Sequence, residues 1–265
     1  MMITIFTIAG SAVYATEIPV SDQDQLITSR DWTEISNLQD EMKKEEPDAT
    51  IDYDKALKVY VDCNLIKLQT ADTKKLTSAL ESANYVWVIP FKMEKTYGMF
   101  TVAKGLPLRE EAKSVLTKAE QEEVKNHAGK WMITETAEHT VEPYYDILLE
   151  KREALSDCTR VVLVGSQPGM RQPVALGMDD ETARIWISLG YQYPVMEKIP
   201  ETQNVESGVY SFESVADISD TYIEDSEVST GAGVQSRSSM KYVAGIGIIV
   251  IGSILILSVC LLYTS

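Results

Sequence analysis

Hydrophobic residues recur along this chain with two periods. Leu57, Val59 and Val61 alternate with Lys58, Tyr60 and Asp62, which predicts a strand inside an extended run from Ala56 to Leu68. Trp32, Ile35, Leu38 and Met42 recur at helical spacing, which predicts a helix from Asp31 to Lys44, with Asp31 and Glu34 spaced like a capping box and Pro47 ending the segment. Asp72 is placed to cap a helix carrying Leu76, Leu80 and Ala83. Tyr85–Phe91 and Tyr97–Ala103 then read as two strands joined by a turn at Lys92–Lys95.

The same order of elements returns after the break at Gly105-Leu106-Pro107. Thr117 and Glu120 form a capping box for a short helix that ends before Gly129. A strand is expected from Lys130 to Glu135, a helix from Pro143 to Leu155, and strands at Arg160–Gly165, Pro173–Gly177 and Ala183–Leu189. Pro168-Gly169 suits the two central positions of a type II turn between the second and third of these strands. Residues 56–103 and 130–177 therefore read as tandem β-α-β-β units. The fold class this implies is α+β, with a mostly antiparallel sheet and its helices on one face.

The chain ends change the picture. Tyr242 to Tyr263 carries no charged side chain, and residues 243–263 are long enough as a helix to cross a bilayer of ~30 Å. A C-terminal transmembrane helix is the expectation. Met1 to Ala15 is apolar and shorter, and Val13-Tyr14-Ala15 places small residues at the −3 and −1 positions of a cleavage site, so residues 1–15 read as a signal peptide. Arg237 and Lys241 precede the apolar run, which by the positive-inside rule alone would put the main domain in the cytoplasm. The leader outweighs that signal and orients residues 16–199 outside. Residues 200–240 are rich in Ser, Thr, Glu, Asp and Gly without a sustained period, and read as an acidic stalk.

Composition narrows the partners. A formal net charge of −16 disfavours nucleic acid and anionic lipid headgroups. Of the three cysteines, Cys260 falls in the apolar run, which leaves Cys63 and Cys158 as a candidate disulfide. No Asn-x-Ser/Thr acceptor occurs, so nothing supports a glycosylated ectodomain, and a bacterial envelope fits at least as well.

Candidate chemistry is sparse. Gly165-Ser166-Gln167-Pro168-Gly169 follows a strand but lacks nucleophile-elbow spacing, and reads as a hairpin loop. His127 sits where a helix C-terminus favours a cation. His139 with Glu135, Glu138 and Glu142 is the one grouping that resembles a metal patch, but it lacks the spacing of known sites, so no metal or other cofactor is expected. Asp52 and Asp54 lack calcium-loop spacing, and Asp179-Asp180-Glu181 reads as a turn. Tyr85, Trp87, Phe91, Tyr97, Phe100, Trp131 and Trp186 fall mostly at strand positions, where core packing accounts for them without a ligand groove. The resulting expectation is a single-pass, membrane-anchored extracytoplasmic module that binds an envelope protein, peptide or glycan. The alternative is an extracytoplasmic hydrolase with an active site assembled from loops.

Overall fold

The computed structural model describes residues 18–225, apart from 140, 166, 171, 202 and 203. The expected signal peptide and transmembrane helix therefore lie outside the described residues. Among those residues, no helix is long and apolar enough to cross a membrane.

In chain order, α1 (Trp32–Ile35) and α2 (Gln39–Glu45) flank a 3-10 turn, and β1 (Thr50–Ile51) and β2 (Leu57–Val61) follow. Next come α3 (Thr73–Ser82), the hairpin β3 (Asn84–Lys92) and β4 (Tyr97–Lys104), and then α4 (Lys118–His127) and β5 (Trp131–His139). After α5 (Tyr144–Glu150) come β6 (Arg160–Val164), β7 (Val174–Met178), β8 (Ala183–Ser188), β9 (Asn204–Glu206), β10 (Val209–Ser211) and α6 (Phe212–Asp225). The strands form one ten-stranded sheet in the order β5-β4-β3-β2-β6-β7-β8-β10-β9, with β1 paired to the end of β3. Every pairing is antiparallel except the central one, β2 with β6.

Local chemistry explains several boundaries. Asp72 accepts hydrogen bonds from the backbone of Lys74 and Lys75 and so starts α3, and Thr117 with Glu120 closes the expected capping box on α4. In the turn between β6 and β7, the Met170 N–H donates to the Gln167 carbonyl and Gly169 takes a φ of 71°, a conformation in which a side chain would be strained. Gly98 is required for a different reason. The Phe91 ring, which packs at a tilt against Phe100 with centroids 4.6 Å apart, lies directly over it, and a Cβ at Gly98 would fall inside that ring. Both rings are buried, so neither can yield. Gly98→Ala is expected to cost ~1–3 kcal/mol, read as a lower urea midpoint at unchanged slope.

Both faces of the sheet are covered, which is why β6 and β7 read as unbroken apolar runs rather than alternating ones. On one face lie α3 through Leu76 and Leu80, α6 through Phe212 and Val215, and α1 and α2 through Ile35 and Met42. The other face packs Val59, Val88, Leu163 and Ile187 against Leu148 of α5, Leu155, and Ile18 and Val20. Helices thus occupy both faces, not one as the sequence suggested.

The expected duplication is not the arrangement found. In residues 56–103, β2 pairs with β3 directly. In residues 130–177, the first strand, β5, borders β4 at the edge of the sheet, far from β6. Moreover, α3 and α5, which a repeat would place equivalently, pack on opposite faces. Common αβ units at similar spacing produced the resemblance.

The expected stalk is also corrected at its start. Val209, Phe212 and Val215 are buried, Phe212 stacks on Trp186, and β10 extends the sheet from β8. The folded unit therefore continues through α6, past the expected boundary at 199.

Candidate functional site

The strongest concentration of charge lies at the centre of the sheet. β2 and β6 stay in register for two pairs only, Val59 with Leu163 and Tyr60 with Val164. Towards their N-terminal ends they are bridged by residues 18–25: Val20 pairs with Val161, and Gln25 with Leu57. This segment carries Asp24 into the gap, where the side chain is only 2% exposed.

Four groups converge on that carboxylate. Tyr60 donates from 2.7 Å, Ser21 from 2.6 Å, Arg160 Nη2 from 3.1 Å, and Lys58 Nζ stands 3.4 Å away. Burial alone would raise the Asp24 pKa. The hydrogen bonds from Ser21 and Tyr60 and the charges of Arg160 and Lys58 outweigh it, and the pKa is lowered. Lys58 behaves in the opposite way to a simple ion-pair partner. Its burial outweighs the attraction of Asp24, so its pKa is lowered too. The pair is thus held by the carboxylate's preference for charge, while the ammonium pays a desolvation cost.

Aromatic faces reduce that cost. Lys58 Nζ lies 4.7 Å from the Tyr85 ring centroid, 5.3 Å from Trp87 and 5.6 Å from Tyr60. These rings come together because Lys58 is opposite Trp87, and Tyr60 opposite Tyr85, across the β2–β3 ladder. Asp31 completes the cluster. It stands at the N-cap of α1 but caps nothing; its Oδ2 accepts instead from Tyr85 at 2.8 Å and from the Trp87 indole at 3.1 Å.

At the opposite ends of β2 and β6 the chain departs to two sides, the topology at which open sheets commonly leave a ligand crevice. Here that place is filled. The Gln167 amide, buried, accepts from Leu65 N at 3.0 Å and donates to the carbonyls of Cys63 and Gly165 at 2.6 and 3.0 Å. Nearby, a shallow groove of about 400 Å³ runs along α3, lined by Leu68, Thr70, Lys75, Ser78, Ala79 and Ser82.

Cys63 and Cys158 are both free and buried, and the expected disulfide is absent: Cys63 belongs to the cluster with Leu76 and Trp186, and Cys158 to the one with Leu148 and Leu163. The sheet separates them. Burial raises each thiol to about 11. In a chain of residues 16–225, which leaves out Cys260, neither is expected to react with a thiol reagent at pH 8 until the fold is opened by denaturant, and a single fast-reacting native thiol on a time course would contradict this.

The remaining candidates do not converge. Among the described residues no cluster of metal-ligating side chains forms. Glu135 is registered with Thr101 and Glu138 with Gly98, positions on opposite faces of β4, and the His139 imidazole lies outside the described residues, as does Ser166. Asp52 pairs with Lys55 at 3.7 Å, and Asp179 accepts from the backbone of Glu181 and Thr182, the turn chemistry expected of it. Trp87, Phe91, Phe100, Trp131 and Trp186 are core residues. Asp24, Arg160 and the true role of Asp31 had no sequence signal, because their meeting is set by the pairing of β2 with β6. Comparison with protein-family models, with curated proteins and with solved structures finds no match for this chain.

Proposed function

We propose that this chain is a binding or interaction module anchored in a membrane by residues 243–263, with its folded domain on the extracytoplasmic side of a bacterial envelope. The observation that carries this reading is the uncharged run from Tyr242 to Tyr263, with the leader-like Met1–Ala15 supplying orientation. The interior chemistry fits a binding role better than turnover: the carboxylate of Asp24 is engaged by four internal partners, and the Gln167 side chain occupies the crevice between the diverging strands. The groove along α3 and the acidic surface remain for contact with an envelope protein, a peptide or a glycan.

The test is fractionation of cells expressing the full chain. The protein is expected in the membrane fraction, resistant to carbonate extraction, degraded by protease added outside, and beginning at Thr16. A carbonate-soluble protein, or a domain protected from external protease, would overturn the anchor or the orientation respectively. Turnover of an ester, peptide, glycan or phosphate substrate by the purified domain, abolished by one point change, would overturn the non-catalytic reading.

A further inference from the structure

The segment that closes the centre of the sheet has the character of a bound peptide. Residues 18–31 make few backbone bonds to the strands they bridge: Val161 N donates to the Pro19 carbonyl at 2.7 Å, and Leu26 N to the Ala56 carbonyl at 3.1 Å. Their attachment comes mainly from side chains. Ile18, Val20 and Leu26 are buried, and Asp24 and Asp31 meet a receptor surface made by other parts of the chain. That surface is cationic and aromatic, with Lys58 and Arg160 for charge and Tyr60, Tyr85 and Trp87 as hydrogen-bond donors. In a protein of net charge −16, a buried Lys58 and a half-buried Arg160 facing one segment are complementary to acid.

We infer that the gap between β2 and β6 is a recognition slot for an acidic segment folded into two 3-10 turns, and that residues 18–31, with turns at Asp22–Asp24 and Leu26–Thr28, are its resident ligand, held in cis. The slot reads two carboxylates seven positions apart, Asp24 through Lys58, Arg160 and Tyr60, and Asp31 through Tyr85 and Trp87. Apolar side chains at 18 and 20, ahead of the first carboxylate, and at 26, between the two, fix the register. The same segment of a second copy, which carries the same two carboxylates, can occupy the slot when the resident one leaves. The inference stands independently of where the domain is anchored.

The test begins with the full chain carrying a protease site in the exposed turn at Pro47-Asp48, cut after folding. A fluorescent peptide of residues 18–47 is then offered to the nicked protein in native buffer. It is expected to enter faster than the protein globally unfolds, and a peptide with Asp24→Asn and Asp31→Asn is expected to compete about 100-fold less well, as truncating buried charge pairs does at interfaces. Entry only at the global unfolding rate, or equal competition by the double-Asn peptide, would overturn the inference. If the nicked halves separate, the same titration is followed as recovery of the near-ultraviolet signal of the tyrosines and tryptophans. Recovery with the native peptide but not the double-Asn one supports the slot, and recovery with neither or both refutes it.

Discussion

Asp24→Asn is expected to destabilise the domain by ~3–5 kcal/mol at pH 7, because it leaves the buried Lys58 and the half-buried Arg160 beside a neutral amide. The amide keeps the shape, but Tyr60 and Ser21 donate to different carboxylate oxygens and the single amide oxygen can accept from only one of them, so the loss reports charge and one hydrogen bond rather than a cavity. The pH dependence is a second readout. Since the folded-state pKa of Asp24 is lowered, its contribution is fully present above the unfolded carboxylate value of ~3.9 and is lost as pH falls through the folded value. The native domain should therefore lose stability more steeply on acidification than the Asn variant does. Urea midpoints between pH 7 and pH 3 measure both effects. Equal slopes for the two proteins would mean that Asp24 is not the ionised centre of the cluster. Adding Lys58→Met to Asp24→Asn should restore part of the loss, because it removes one of the two stranded cations and places an apolar chain among Tyr60, Tyr85 and Trp87.

How much of this was legible in the sequence depends on the range of the interaction. Caps at Asp72 and Thr117, the Pro168-Gly169 turn and the strands from β2 to β8 depend on neighbours a few residues away, and each was readable from spacing. Pairing between distant strands was not. Nothing local states that β5 pairs outward with β4 while β6 pairs with β2, and the reading of a repeat failed on that point. Asp31 shows the same limit in one residue: its spacing to Glu34 is that of a helix cap, but the carboxylate gains more from the Tyr85 hydroxyl and the Trp87 indole brought to it by β3. Lys58 and Tyr60 alternate with valines and so looked like the solvent face of a half-buried strand; cover on both faces puts them inside. The stalk reading gave its weight to composition averaged over 200–240 and passed over three apolar residues, Val209, Phe212 and Val215, whose spacing continues from a strand into a helix.

That last difference carries a large expected effect. A chain of residues 16–199, the boundary suggested by composition, is expected not to fold cooperatively, whereas 16–225 should. The shorter chain removes the Phe212 ring from the face of Trp186, where the two stack with centroids 5.8 Å apart and an interplanar angle of 14°. It also removes the buried Val209 and Val215 and leaves the edge of β8 without β10, to which Ile185, Trp186 and Ile187 are registered. Truncating a buried Phe to Ala alone costs ~3–5 kcal/mol, a large share of the ~5–15 kcal/mol by which a domain is stable. Loss of the whole segment goes further, since it uncovers Trp186 and opens a hydrophobic strand edge prone to association. The prediction is a broad, low-amplitude thermal transition, binding of a hydrophobic dye and concentration-dependent aggregation for 16–199, against a single sharp transition for 16–225. Phe212→Ala in the longer chain separates the two contributions: a loss of ~3–5 kcal/mol with two-state unfolding retained assigns the stack its share. Equal melting of 16–199 and 16–225 would show that β9, β10 and α6 rest on the domain without holding it together.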